Sequence, residues 1–229
     1  MTQTVRQDDE ALDAHPKTKG RRRSSRSKHD AIIYAAIEVF GRQGYESSKW
    51  ADVAAEVGIG STALYHYFES KLHCLYTIMA EALEDHRVEL EELSRSSTDY
   101  LTALDRVLRD GFQFTDHEVF RMRVLVAEQG QLGAVRKNER EEAARELARE
   151  RLRALEFAWA AFLVRGMENG SIPEANATLL ARAVLGLNTS VWHWFRPGGQ
   201  VGLEEVEEFF VHRQRAIIGV PEAWSPPEK

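Results

Sequence analysis

The amino-acid sequence predicts an all-α fold, with a small N-terminal helical domain followed by a larger helical body. Apolar residues recur every three or four positions along most of the chain, which is the period of one face of an α-helix. No segment alternates apolar and polar residues for long enough to indicate a strand. A length of 229 residues is large for one domain and short for two full-sized ones. We therefore divide the chain into residues 1–28, 29–70 and 71–229.

The first 28 residues are predicted to form a disordered basic arm. Residues 1–16 are polar and lack an apolar period, and residues 17–28 carry seven Lys or Arg and no acidic residue. Residues 17–71 hold ten basic against six acidic residues, a net charge of +4, whereas the rest of the chain carries −10. A basic end on an acidic body is typical of a DNA-binding head. The arm either reaches DNA phosphates or a minor groove, or is a solvated tail.

The helices are predicted in order from the apolar pattern and from breaks rich in Gly, Pro and Ser. The first starts near Asp30, carries an apolar stripe from Ile32 to Phe40, and ends near Gly44. The later helices span about residues 50–57, 61–67, 71–93, 98–115, 118–131, 136–169, 175–195 and 203–218. Breaks between them include Gly58-Ile59-Gly60, Gly170-Ser171-Ile172-Pro173 and Arg196-Pro197-Gly198-Gly199.

The two short helices have the residue spacing of a helix-turn-helix. Ala54 supplies a small side chain where two helices cross, Gly58 permits the turn, and Leu64 anchors the second helix to the core. The other face of the second helix presents Ser61, Thr62, Tyr65 and His66. Short hydroxyls and polar aromatic side chains suit the major groove of DNA, so this segment is predicted to bind DNA.

This segment resembles the DNA-binding domain of the tetracycline-repressor-like (TetR) family of transcriptional regulators. The resemblance covers about residues 29–76. The residues that carry it are Phe40, Gly44-Tyr45, Asp52-Val53-Ala54, Val57-Gly58-Ile59, Leu64-Tyr65-His66-Tyr67-Phe68 and Lys71. It implies a sequence-specific regulator, most often a repressor, that binds double-stranded operator DNA in the cytoplasm. An activator is the alternative.

The resemblance also implies which residues contact DNA. They are Ser48, Lys49, Ser61, Thr62, Tyr65, His66, Tyr67 and Lys71. The three aromatic residues of the recognition helix would meet phosphates and base edges, Lys71 would hold a phosphate, and Ser48 and Lys49 would touch the DNA backbone. The sequence departs from the family pattern at Gly60 and Ser61, where Ser and Lys are often found. Its operator is therefore expected to differ from those of better-known members.

The body is predicted to contain a ligand pocket. In the long helix near residues 136–169, apolar residues repeat at alternating four- and three-residue intervals up to Trp159 and Phe162. These two, with Phe112 and Phe114 from an earlier helix, are the predicted pocket wall, and plain helix packing is the alternative for most of the stripe. Because the wall has no cluster of charges, it favours an apolar or amphipathic ligand.

The last two predicted helices carry more apolar residues than one helix contact can cover, which predicts a homodimer. The resemblance implies that these helices form a four-helix interface with those of a second copy. Residues 192–199 are similar to the end of the penultimate helix in TetR regulators of lipid, steroid and acyl-CoA breakdown. That similarity implies a fatty acid, acyl-CoA or steroid-derived effector.

Other functions have weaker support. The sequence has no phosphate-binding glycine loop, no nucleophile elbow and no metal-ligand spacing, so we expect neither an enzyme nor a cofactor. No apolar run is long enough to predict a membrane span. Two alternatives stay open: a ligand-independent architectural DNA-binding protein, and a redox-sensing regulator that uses its single cysteine, Cys74.

Overall fold

The computed structural model describes residues 28–221 and residue 225, and all regular structure within them is helical. The helices are α1 (Lys28–Gln43), α2 (Trp50–Val57), α3 (Ser61–Leu64), α4 (Lys71–Ser94), α5 (Tyr100–Asp110), α6 (Asp116–Ala127), α7 (Glu139–Glu168), α8 (Ala177–Trp194) and α9 (Leu203–Ile218), with a 3-10 turn at Gln129–Gly133 between α6 and α7. We call residues 28–70, which include α1 to α3, the head, and residues 71–221, which include α4 to α9, the body. The all-α prediction is confirmed, whereas the predicted basic arm lies outside the described residues except for Lys28.

Four predicted helices differ from the observed ones by three residues or more at one end. The third helix ends at Leu64 rather than Tyr67, because the next backbone N–H groups bond three residues back, as in the 2.9 Å bond from Tyr67 N–H to Leu64 O. The helix predicted at residues 98–115 ends at Asp110, and the one predicted at residues 118–131 is α6 followed by the 3-10 turn. The helix predicted at residues 136–169 begins at Glu139, after its cap at Asn138. All four differences concern helix ends, which the apolar period does not determine.

Local sequence sets several helix ends. Thr115 and Glu118 form a reciprocal capping box that starts α6, and Asn138 accepts hydrogen bonds from two backbone N–H groups at the start of α7. The Ser70 hydroxyl oxygen accepts from the His73 backbone N–H at 3.0 Å and so starts α4. Gly58 ends α2 with a φ of 72°, a left-handed conformation that favours glycine.

The head has its own apolar core, which is continuous with that of the body. Phe40, Val53, Leu64 and Phe68 are buried between α1, α2 and the end of α3. In the body, α4 packs along α7, and α7 packs against α8. These contacts bury one connected cluster of apolar side chains that runs from the head into the body.

Two groups of contacts fix the head on the body. In the first, α1 crosses α6, where the Tyr34 ring stacks on His117 with 3.8 Å between ring centroids and His117 Nδ1 lies 2.6 Å from the Glu38 carboxylate. In the second, the Ser70 hydroxyl donates to the carboxylate of Glu141 on α7 at 2.5 Å. An ion pair of 3.2 Å between Glu69 and Arg140 lies beside it. The head is therefore held by α6 and by the start of α7, in addition to its contacts with α4.

Gly41 makes the crossing of α1 and α6 close, and this gives the first prediction. A Cβ atom at position 41 would lie 2.5 Å from the Cβ atom of Phe120. We expect Gly41→Ala to lower the free energy of unfolding by about 1 to 3 kcal/mol, because the helices must move apart. Urea unfolding followed by circular dichroism measures this. Gly130→Ala is the control, since a Cβ atom there meets nothing within 4 Å. Equal stability of the Gly41→Ala variant and the unmodified protein would contradict close packing at this crossing.

Candidate DNA-binding surface and ligand cavity

The helix-turn-helix presents a polar surface because its apolar residues are used inside the head. Val53, Ala54 and Leu64 are buried at the contact between α2, α3 and α1. The Asp52 carboxylate accepts a hydrogen bond from the Lys49 backbone N–H at 3.0 Å, which fixes the start of α2. The exposed predicted DNA-contact residues are Lys49, Ser61, Thr62, Tyr65, His66 and Tyr67. The Tyr65 side chain, 56% exposed, is a large ring with no role in the core.

Lys71 and Ser48 have internal partners. The Lys71 ammonium group donates to the backbone oxygen atoms of Tyr45 at 2.6 Å and Ser48 at 2.9 Å, and it lies 4.1 Å from the centroid of the Tyr45 ring. The Ser48 hydroxyl is buried and donates to the Tyr45 oxygen at 2.7 Å. Burial also raises the pKa of the Tyr45 hydroxyl, which stays neutral. These residues hold the loop between α1 and α2, a role that sequence spacing did not indicate.

A cavity of about 290 Å³ lies in the body, among α4, α5, α6, α7 and α8. Its apolar wall includes Leu83, Leu90, Met122, Leu125, Leu155 and Trp159. Polar side chains also line it, among them Asp110, Asn188 and Thr189. The Arg182 guanidinium, which is exposed, pairs with the Glu156 carboxylate at 3.3 Å, and both line the cavity. The cavity is thus mainly apolar with a few fixed polar groups, which is the usual composition of a ligand site.

The structure brings only part of the predicted pocket wall to this cavity. Trp159 and Phe114 line it. Phe112 is buried elsewhere, with its ring centroid 6.2 Å from that of Trp192. Phe162 packs on Tyr100 at 5.0 Å between centroids and borders a separate groove between α4 and α7. Sequence reasoning missed the contributions of α4, α6 and α8, because cavity-lining and core residues share the same apolar period.

Cys74 is fully buried on α4. Burial raises the pKa of its thiol well above the usual value, so the reactive thiolate form is suppressed. This environment is that of a packing residue, and it removes support from the redox-sensing alternative. Across residues 28–221, the structure contains no helix with the length and apolar character required to cross a membrane.

A helix-turn-helix head on a helical body that encloses a cavity defines the class of DNA-binding transcriptional regulators with a separate sensing domain. The chain belongs to the TetR family. Residues 32–75 match the family model for bacterial regulatory proteins of the tetR family, and residues 104–216 match the model for the tetracyclin repressor-like C-terminal domain. The predicted family is therefore confirmed, and the C-terminal match extends it into the body.

Individual relatives agree with this assignment. The HTH-type transcriptional repressor KstR2 of Rhodococcus jostii is 27% identical over 183 residues, which cover 79% of this chain and 85% of that protein. The structure of AibR in complex with isovaleryl coenzyme A and operator DNA has a TM-score of 0.67 at 18% identity, covering 82% of this chain and 97% of that one. FadR from Bacillus subtilis in complex with stearoyl-CoA has a TM-score of 0.65 at 18% identity, covering 83% and 97%. The two structures share the fold of the present chain.

The contacts of Lys71 give the second prediction. Lys71→Ala removes the ammonium group that donates hydrogen bonds to two backbone oxygen atoms. We therefore expect the free energy of unfolding to fall by about 1 to 3 kcal/mol. Urea unfolding measures the change. Lys49→Ala is the matched control, because Lys49 is exposed, and its stability is expected to stay within about 0.5 kcal/mol. If Lys71→Ala weakens DNA binding at unchanged stability, Lys71 acts on phosphate alone and its loop role is wrong.

Proposed function

We propose that the protein is a repressor that binds an operator as a homodimer and leaves it when an apolar or acyl-type ligand fills the cavity. Residues 29–70 serve as the DNA-binding domain and residues 71–229 as the ligand-binding and dimerisation domain. The observation that carries this proposal is that α4 and α6 both line the cavity and both reach the head. The head leads directly into α4, and α6 packs against α1. Because the protein acts on DNA, we place it in the cytoplasm.

The proposed coupling follows from those two helices. Lys71 begins α4 and contacts the head loop, and Leu83 and Leu90, further along α4, line the cavity. On α6, His117 and Phe120 contact α1, while Met122, two residues after Phe120, lies in the cavity wall. A ligand that prefers one arrangement of these helices shifts the position of the head and thus the affinity for DNA.

The ligand class is proposed from the cavity wall and from the relatives. Most of the wall is aliphatic or aromatic, which suits an acyl chain or a sterol-like ring system. The AibR and FadR structures hold isovaleryl coenzyme A and stearoyl-CoA, and KstR2 of Mycobacterium tuberculosis is described as a ketosteroid transcriptional regulator. We therefore propose a fatty acid, acyl-CoA or steroid-derived effector. A ligand-independent architectural protein would leave such a cavity without a role.

The proposed DNA surface consists of the predicted DNA-contact residues that the structure leaves exposed. The two predicted residues with internal partners instead fix the loop between α1 and α2. The exposed residues are Lys49, Ser61, Thr62, Tyr65, His66 and Tyr67. Lys71 and Ser48 orient the loop that precedes α2. The basic arm at residues 1–28 is proposed to add contacts to DNA phosphates.

The homodimer is proposed to form through α8 and α9. These helices expose large apolar side chains: Leu179 at 62%, Trp194 at 49%, Phe209 at 54% and Ile217 at 48%. Apolar surface of this kind is typical of a subunit interface. A two-fold dimer would place the two heads about 34 to 36 Å apart, or a multiple of that distance, on successive turns of the DNA.

DNA release by the ligand is the third prediction. The operator is first selected from random DNA with the full chain, and binding is followed by fluorescence anisotropy. We expect stearoyl-CoA, isovaleryl coenzyme A or a steroid-derived thioester to release the DNA and to raise the melting temperature of the protein. Tyr65→Ala is expected to lose about 1 to 3 kcal/mol of DNA affinity and to keep the ligand-induced thermal shift, because the cavity is unchanged.

If all three compounds leave the melting temperature and DNA binding unchanged, while a polar metabolite changes both, the proposed ligand class is wrong. If Tyr65→Ala binds the selected operator as tightly as the unmodified protein, the assigned reading surface is wrong. The first result leaves the DNA-binding function intact, since it concerns the body alone.

The fourth prediction concerns the dimer. We expect Phe209→Glu on α9 to give a monomer in analytical ultracentrifugation at micromolar concentration, because a charge would be buried in the interface. Phe157→Glu is the matched control, since Phe157 is 76% exposed on α7, where it borders the groove between α4 and α7. A stable dimer of the Phe209→Glu variant, or a monomer of the Phe157→Glu variant, would contradict the assigned interface.

A further inference from the structure

A groove between α4 and α7 carries an exposed aromatic ring in a concave part of the surface. Phe157, on α7, borders this groove and is 76% exposed. Ala154, Ala158 and Ala161 line the groove on the same helix, and these small side chains leave space opposite α4. A single exposed ring is ordinary on a protein surface, but a ring at the edge of an open groove is available to a bound molecule.

Positively charged side chains border the same groove. The charged residues that line it are Arg87, Glu91, Arg95 and Arg165, which give it a formal charge of +2. The Arg87 guanidinium is paired with the carboxylate of Glu84 at 2.7 Å and with that of Glu91. Glu84 is also paired with Arg151 at 2.6 Å, so including these two neighbours leaves the total at +2. The excess positive charge therefore comes from Arg95 and Arg165.

Arg165 is held in place and still has donors to offer. Its guanidinium donates to the Ser94 backbone oxygen at 2.5 Å and lies 5.0 Å from the centroid of the Phe162 ring. Within the part of the chain that the structure describes, no carboxylate pairs with Arg165. A guanidinium has five N–H donors in a planar fork that matches a carboxylate or a phosphate. Arg95, next to Ser94, is 72% exposed and lies 3.9 Å from Glu91, so the two cations lie at the same end of the groove.

Leu90 belongs to the walls of both the groove and the cavity. Its side chain is 4% exposed and lines both spaces. The cavity side is mainly apolar, and the arginine at its edge, Arg182, is already paired with Glu156. The two spaces therefore provide an apolar compartment and a cationic one that share a wall residue. This arrangement is complementary to a molecule with an apolar tail and an anionic end.

We propose that the groove binds the anionic end of the effector, a carboxylate or a phosphate, while its apolar tail passes beside Leu90 into the cavity. Arg165 and Arg95 bind the anion, the Leu90 side chain rotates to admit the tail, and Phe157 packs against the part of the ligand that stays outside. The inference rests on the proposed function, since it takes the occupant of the cavity to be the effector. It narrows the effector class to amphipathic anions.

The test compares decanoate with 1-decanol, which has the same chain length and no charge. Their dissociation constants are measured at neutral pH by isothermal titration calorimetry, with the full chain and with Arg165→Gln. We expect the ratio of decanoate to decanol affinity to fall by about twofold to fivefold in the variant, the usual size of one exposed ion pair. Arg95→Gln should lower it in the same direction. Raising the salt concentration from about 50 mM to about 500 mM should lower the ratio in the unmodified protein more than in Arg165→Gln.

The source of the anion is distinguished by decyl phosphate, measured in place of decanoate. A larger fall for decyl phosphate than for decanoate in Arg165→Gln identifies a phosphate as the natural anion, and an equal or smaller fall identifies a carboxylate. Arg153→Gln is the matched control, because Arg153 is exposed on the same helix and does not line the groove. It removes the same charge and should keep the affinity ratios of the unmodified protein.

Ala161→Phe provides an independent variant that keeps both arginines. Ala161 is exposed and lines the groove, so the new ring occupies the groove without entering the core. The same fall in the ratio of decanoate to decanol affinity is expected, and the test stays informative if Arg165→Gln does not fold. Ala143→Phe is its control, since Ala143 is exposed on α7 outside the groove. This control should leave the ratio unchanged.

The outcomes separate this inference from the proposed function. A ratio of decanoate to decanol affinity that is the same in the unmodified protein, Arg165→Gln and Ala161→Phe overturns the anion site. If decanoate still releases the operator from those variants, the proposed function stands. If Ala161→Phe changes the oligomeric state and leaves the ratio unchanged, the groove contacts a second copy and the anion site is wrong. If neither probe binds the unmodified protein while a polar metabolite does, the proposed ligand class and the anion site both fail.

Discussion

The structure depends on one helix that belongs to both of its parts. α4 begins immediately after the reading head and continues for 24 residues, a length of roughly 36 Å at 1.5 Å per residue. Its first residue, Lys71, contacts the loop between α1 and α2, while Leu83 and Leu90 reach the cavity. A hydrogen-bonded helix transmits displacement with little internal deformation. This helix therefore provides a direct mechanical connection between the head and the cavity wall.

The sequence predicted the helices well where local chemistry decides them. Gly58 and the capping residues mark helix ends through backbone conformation and nearby hydrogen bonds, which are properties of a few adjacent residues. The predicted end of α3 was wrong by three residues, since residues 65–67 form a tighter turn that leads to the buried Phe68. An apolar period indicates that a residue is buried. It carries no information about how a helix end bends toward the residues that bury it.

The candidate sites could be predicted only in part, for a related reason. Exposed residues such as Tyr65 follow from the apolar residues on the opposite face of the same helix. The bonds of Lys71 to Tyr45 and Ser48 cross more than 20 positions of sequence, and no spacing rule indicates them. Phe162 is three residues from Trp159 on the same face of α7, and the two ring centroids lie 6.3 Å apart. Phe162 nevertheless packs on Tyr100 and borders the groove between α4 and α7 instead of the cavity. Cavities form where packing is incomplete, which is a property of all surrounding helices together.

The contacts that join the head to α6 and α7 are of two kinds, apolar and polar. Gly41 lets α1 approach Phe120 of α6 closely, and the apolar core is continuous between head and body. The Glu69 to Arg140 ion pair and the contact of His117 with the Glu38 carboxylate are the polar kind. Dissolved salt screens exposed charges and weakens such pairs, whereas it leaves apolar contacts largely unchanged. Ionic strength would therefore act on the polar part of the head attachment as well as on the attraction to DNA.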